Sequence, residues 1–153
     1  MVIGKALHDE SIPVYGSGSN IRDWLYVEDH ARALLLILEK GLSGRTYNVG
    51  GASERTNLSV VQAVCHCLDQ RQPRKSGDSY ANLISFVPDR PGHDFRYAID
   101  STRIQDELGW QPRETFSSGL EKTVQWYLEH QDWVTAVLGT QYYGQRLGLR
   151  GAA

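Results

Sequence analysis

The sequence predicts an α/β fold, a small domain of mixed helices and strands. Three observations carry this. Residues 27–40, 57–68 and 116–131 repeat apolar side chains at the helical spacing. The short runs 12–15, 46–49 and 83–87 are apolar or β-branched and read as strands. The two kinds alternate along the chain, with glycines at several joins, as expected of a layered helix-on-strand domain.

Taken in order, residues 1–9 read as the tail of a helix, with Val2, Ile3, Ala6 and Leu7 on one face. Residues 12–15 form a strand, and Gly16-Ser17-Gly18-Ser19-Asn20 makes a turn. Residues 21–26 are extended and lead into a helix over 27–40. Its apolar positions are Val27, Ala31, Leu34, Leu35 and Leu38, and Gly41 stands where a C-terminal glycine ends a helix. The strand at 46–49 is stopped by Gly50-Gly51. Asn57 is a good N-cap for a helix through about Leu68, with Val60, Val61, Val64 and Leu68 as its core face. Residues 70–80 are polar and form a surface loop, and 83–87 return to a strand. Residues 97–99 are extended. Ser101 or Thr102 caps a short helix that ends at Leu108-Gly109-Trp110. The last helix, about 116–131, turns Leu120, Val124, Tyr127 and Leu128 inward. A Gly-rich tail follows, and no internal repeat is visible.

One stretch stands out. Residues 33–38, Ala-Leu-Leu-Leu-Ile-Leu, are apolar all round the helix. Such a helix is covered on every side. Either it is the central helix of this domain, or a partner domain covers one face.

The 153 residues suffice for one domain with its own core. With a formal net charge of -2, no global field favours nucleic acid or an anionic membrane. Any phosphate binding must then come from local arginines. No basic segment precedes a long apolar run near residue 1, and the longest apolar stretch is too short to span a bilayer. The two cysteines, Cys65 and Cys67, fit no common zinc spacing and make an awkward disulfide. They read as buried free thiols of a cytoplasmic protein.

Two arginines are set in distinctive contexts. Arg22 lies in Ile21-Arg22-Asp23-Trp24-Leu25-Tyr26-Val27-Glu28-Asp29-His30, and Arg90 in Asp89-Arg90-Pro91-Gly92-His93-Asp94. A guanidinium is a planar fork of donors that grips phosphate oxygens bidentately, so two of them suit a diphosphate. Arg22 also suits an ion pair with Asp23 or Asp29. The usual catalytic signatures are missing from the sequence. Gly16-Ser17-Gly18 has Ile21 where a dinucleotide loop needs its third glycine, and a strand follows it instead of a helix. No tyrosine has a lysine four residues on, no Ser/His/Asp set sits in a nucleophile elbow, and the five histidines lack metal-ligand spacing.

The chain resembles the C-terminal part of the dTDP-glucose 4,6-dehydratases, a family of extended short-chain dehydrogenase/reductases. The matching segments include Ile12-Pro13-Val14-Tyr15-Gly16, the run from Ile21 to Ala33, Thr46-Tyr47-Asn48-Val49-Gly50-Gly51 and Glu54-Arg55-Thr56-Asn57. They continue through Asp89 to Asp94, Arg96-Tyr97-Ala98-Ile99-Asp100, Glu107-Leu108-Gly109-Trp110 and Thr123-Val124-Gln125-Trp126-Tyr127-Leu128. They fall in the family's order and cover nearly the whole chain. The Arg22–His30 run favours the dehydratases over sibling epimerases and decarboxylases that act on UDP-sugars.

The resemblance implies a lyase that uses NAD to turn dTDP-glucose into its 4-keto-6-deoxy product. It implies that residues 1–153 are the sugar-nucleotide-binding domain. The NAD-binding Rossmann domain, with its Gly-rich loop and its Tyr and Lys acid/base pair, would then lie outside the chain. No catalytic, cofactor-binding or metal residue is therefore expected here. By the same resemblance Arg22 and Arg90 clamp the diphosphate, and Pro13, Val14 and Tyr15 line the thymine pocket. Asn57 reaches the nucleotide, and Asp89, Arg90, Pro91, Gly92 and His93 form a loop over it. Tyr142 resembles part of a family tail motif. The 27–40 helix and the 46–49 strand would lie against the Rossmann domain, so the chain alone is expected to self-associate or to dock on such a partner. A non-catalytic module that holds a dTDP-sugar remains the alternative.

Overall fold

The structure is a computed structural model in which residues 2–138 are described; Tyr142 lies outside them. Two small sheets organise the chain. Strand β1 (Ile12–Tyr15) runs parallel to β4 (Ile84–Val87), in the register Ile12↔Ile84 to Tyr15↔Val87. Strand β2 (Ile21–Asp23) pairs antiparallel with β3 (Glu54–Thr56), setting Arg22 opposite Arg55. On its other edge Ile21 bridges to Arg96 in parallel, with Ile21 N donating to Phe95 O and Tyr97 N donating to Ile21 O.

The main core forms around helix α3 (Asn57–Arg71). Its Val61, Val64, Cys65 and Leu68 pack with Ile3 and Ala6 of α1 (Val2–Leu7), with Ile12 and Val14 of β1, and with Val124 of α5 (Phe116–Glu129). Tyr80 closes one end from a 3-10 turn over Tyr80–Leu83. Both cysteines are free and buried, and burial pushes the Cys65 thiol up to about 11. A second, smaller cluster joins Ala33 of α2 (Val27–Lys40) to Ile104 of α4 (Thr102–Leu108) and to Trp110. No helix among the described residues is long and apolar enough to cross a membrane.

Helix α2 has the predicted bounds and is not a central helix of the described residues: its leucine face is uncovered, as the resemblance implied for this chain without a partner domain. Val27, Leu34, Leu35 and Leu38 are exposed, Leu38 to 83%. The buried residues are Asp29 and Ala33, with Leu36 and Ile37 packed beside them. Asp29 is the reason. Its carboxylate accepts the backbone N–H of Arg113 at 3.0 Å and of Glu114 at 2.9 Å, and Arg32 donates to it from the next turn. Burial works to raise its pKa, but the Glu114 and Arg113 amides and then Arg32 outweigh it and hold the carboxyl below the usual range. This buried anchor turns the helix, and the leucine face is left outward.

Other expectations change at the joins. Gly41 ends α2 in an extended conformation (φ -66°), and glycine is needed because a Cβ would stand 2.4 Å from Ile37 O. The cap of α3 is Thr56, whose side chain accepts from Ser59 N; Asn57 is the first helical residue. Residues 46–49 join no sheet. Side chains hold them instead: Arg103 donates to Thr46 O, and Tyr47 and Arg45 both donate to Glu107. Ahead of α4, Asp100 accepts from Thr102 N, while Ser101 makes no side-chain cap. The last helix is broken at His130 into α5 and α6 (Gln131–Leu138).

Candidate functional site

The Gly16–Asn20 turn, the start of α3 and the 89–97 loop are laced together. Gly18 O accepts from Leu58 N and Asn20 O from Asn57 N, both at 2.9 Å. The buried Asn20 side chain donates to Asp94 O at 3.3 Å. Gly18 is required twice over. Its φ is +71°, and a Cβ would stand 2.7 Å from Val14 and 2.8 Å from Leu58.

That closeness also answers whether these residues could hold a dinucleotide. A pyrophosphate needs a glycine turn whose N–H groups open into a helix N-terminus. Here the turn is filled by Val14 and Leu58 and runs on into a strand. It does not fit. Among the described residues no cluster of His, Cys, Asp or Glu could hold a metal either.

Arg22 is held in place and faces the loop. Nη1 donates to Ile21 O at 2.6 Å and to Phe95 O at 3.4 Å, and Nη2 donates to Asp94 O at 2.9 Å. The guanidinium lies over the Tyr97 ring, 4.4 Å from its centroid. It therefore forms no ion pair with Asp23 or Asp29. Asp23 instead accepts from the Gly51 and Ser53 amides. Nε donates to none of the described residues, so the Nε–Nη2 edge remains able to grip an anion side-on.

Arg90 is exposed, and its side chain makes no hydrogen bond with a described residue. A hydrogen bond to the Asp94 carboxylate raises the Tyr97 phenol above its ordinary value, more than the positive charges of Arg22 and Arg90 lower it. Arg22 is bonded to the same loop that carries Arg90, although 68 positions separate the two in the sequence.

The rest of the loop is braced. Gly92 turns it at φ +68° after Pro91. His93 Nδ1 lies 2.6 Å from Asp89 Oδ1, and its side chain is only 5% exposed. Asp89 also accepts from Arg90 N at 2.8 Å. The His93 hydrogen bond, more than the Arg90 amide, holds Asp89 below the usual carboxylate range despite some burial. Gly16 lies beneath Asp89, where a Cβ would meet Oδ2 at 3.1 Å.

The β1 residues divide. Val14 is 3% exposed and packs into the core, so only its backbone is left for a pocket. Pro13 and Tyr15 alternate to the half-buried side. Asn57, relieved of capping, has a side-chain amide that bonds to no described residue.

Sequence reasoning missed Tyr97 and Asp94. The one available signal was the alternation of Phe95, Tyr97 and Ile99, all exposed, along an extended run. The site is an open ledge. A groove of about 890 Å³ lies elsewhere, between the segment before α2 and helix α5, lined by Trp24, Tyr26, Arg55, Phe116, Trp126 and Trp133. None of the residues expected from sequence to bind the nucleotide lines it.

The chain is similar to known proteins. The family described as GDP-mannose 4,6 dehydratase matches residues 1–123. A dTDP-glucose 4,6-dehydratase from Xanthomonas campestris pv. campestris is 53% identical over 148 residues, which is 97% of this chain and 42% of that protein. The crystal structure of a dTDP-glucose 4,6-dehydratase from Bacillus anthracis in complex with NAD is similar at TM-score 0.73 and 40% identity, covering 86% of this chain and 39% of that one. Another from Streptomyces venezuelae, with NAD and TYD bound, gives TM-score 0.76 and 35% identity over 86% of this chain and 38% of that one. The chain spans about two fifths of the length of the relatives it matches.

Proposed function

The chain belongs to the GDP-mannose 4,6 dehydratase family, and from that premise we propose that it is the dTDP-sugar-binding portion of a dTDP-glucose 4,6-dehydratase. In this reading it is the C-terminal substrate domain of an enzyme that converts dTDP-glucose to dTDP-4-keto-6-deoxyglucose. The observation that carries it is the binding of Arg22 to the loop that carries Arg90, with the Nε of Arg22 donating to no described residue and neither guanidinium in a salt bridge with a described residue. Two guanidiniums carried by one loop and the strand it holds repel each other unless an anion joins them, and a diphosphate supplies two negative groups for them. Pro13, Tyr15 and the backbone of Val14 form the base pocket. Asn57 lends its unused amide, and the Asp89–His93 turn covers the ligand.

The chemistry of oxidation and water elimination needs an NAD site and an acid/base set that these residues do not supply. The chain alone therefore binds without turnover, and the rest of the relatives' length carries that machinery. The outward leucine face of α2 is then an interface for it. In its absence the isolated chain self-associates.

Titration with dTDP tests the reading. Arg22→Ala or Arg90→Ala should each weaken binding by about 1.5–3 kcal/mol, roughly 10- to 150-fold. Unchanged affinity in both variants would remove the clamp. UDP as competitor separates this reading from a UDP-sugar epimerase or decarboxylase, because only the base methyl and the ribose 2′-hydroxyl differ.

A further inference from the structure

We propose that Tyr97 is the positioning residue of the ledge: its ring, fixed at both ends, is the platform that sets the plane of the Arg22 fork for the diphosphate. The proposal rests on the nucleotide reading above and extends it to a residue that does not touch the ligand.

Tyr97 is half exposed, so its ring is not explained by core packing. Its backbone is pinned where Tyr97 N donates to Ile21 O at 3.1 Å. Its hydroxyl is pinned by donation to the Asp94 carboxylate. Backbone and hydroxyl together leave the ring little freedom. The Arg22 guanidinium stacks on that ring at 4.4 Å, and Asp94 O accepts from Nη2. Asp94 therefore holds both partners, the tyrosine through its side chain and the arginine through its carbonyl.

The stack orients Arg22, and it also draws Arg22 away from Arg55. The strand register sets the two arginines opposite each other on one face. Like charges so placed repel. They part: Arg22 lies over Tyr97, and Arg55 lies over Phe116 at 5.1 Å. Without Tyr97, Arg22 would keep its carbonyl acceptors but lose the ring that sets the plane of its fork, and binding would have to order that plane. Preorganisation is what the platform contributes.

Two measurements test this. The first needs no nucleotide. In the ligand-free chain, ring current from Tyr97 should move the Arg22 δ-methylene and Nε–H proton resonances upfield. The shift should persist in Tyr97→Phe and vanish in Tyr97→Leu. Unshifted Arg22 resonances in the unsubstituted chain overturn the platform, whatever binds.

The second compares dTDP with thymidine, which lacks the phosphates. Tyr97→Leu should raise the Kd for dTDP about 3- to 30-fold, the range of a cation–π contact, and leave thymidine unchanged. Tyr97→Phe should restore most of the loss. In the Arg22→Ala background Tyr97→Leu should have no further effect, because the two act as one unit. If Arg22→Ala weakens dTDP while Tyr97→Leu does not, the platform fails and the clamp stands. If neither change affects dTDP, both fail. An equal loss for thymidine in Tyr97→Leu would mark a general distortion and also overturn the proposal.

Discussion

Helices α2 and α3 both carry an apolar stripe, yet they meet the fold in opposite ways. Helix α3 buries Val60, Val61, Val64, Cys65, Cys67 and Leu68. Helix α2 buries only Asp29 and Ala33 and turns Leu34, Leu35 and Leu38 to solvent. An apolar stripe shows which side of a helix avoids water. It does not show which neighbour covers that side. In α3 the neighbours are on hand, because α1, β1 and α5 close over it. In α2 a single buried carboxylate, anchored to two amides and an arginine, overrides the stripe.

The sharpest test sets one leucine against another. Leu68→Ala should cost about 2–5 kcal/mol, because the side chain is fully buried and leaves a cavity. Leu38→Ala should shift stability by no more than about 0.5 kcal/mol. Urea midpoints of the two variants measure the contrast. Equal losses would mean that the leucine face of α2 is covered within this chain.

A smaller effect isolates the anchor. Asp29→Asn should destabilise by about 1–3 kcal/mol at neutral pH, since the Arg113 and Glu114 amides and Arg32 lose the charge of their buried acceptor. The pH dependence follows from the sign of the shift. The carboxyl titrates lower in the folded chain than in the unfolded one. Its contribution is therefore fully present above the unfolded value and is lost as pH falls through the folded value. Asp29→Asn should flatten this acid limb of the stability curve, while the exposed Glu54–Arg96 pair at 2.6 Å should contribute little. An acid limb of unchanged slope would break the account of why α2 faces outward.

The smallest effect on stability concerns association. Leu35→Glu with Leu38→Glu should leave the unfolding midpoint nearly unchanged and lower the mass seen by light scattering. A chain that is already a compact monomer before substitution would remove the interface reading.

The two arginines repeat the lesson. Their residue type and local context were readable, and so was the chemistry that a pair of guanidiniums suits. That the loop carrying Arg90 also holds Arg22 was not readable from spacing. Arg22 depends on groups 72–75 positions away, through the carbonyls of Asp94 and Phe95 and the ring of Tyr97. Asn57 shows the reverse error. Its type made it a fair cap, but Thr56, one residue earlier, takes that role and leaves the amide unused.

What followed from the sequence alone is local in origin. The helix at Val27–Lys40, the strand at Ile12–Tyr15 and the turn at Gly16–Gly18 depend on periodicity and on backbone freedom within a few residues. Family resemblance added an expected ligand chemistry, because ordered motifs carry it. Only the tertiary structure decided what depends on two distant partners. It turned α2 on the Asp29 anchor, left residues 46–49 without a strand to pair with, and stacked Arg22 on Tyr97. Burial and pairing are properties of a contact between segments, and no single segment contains both sides of it.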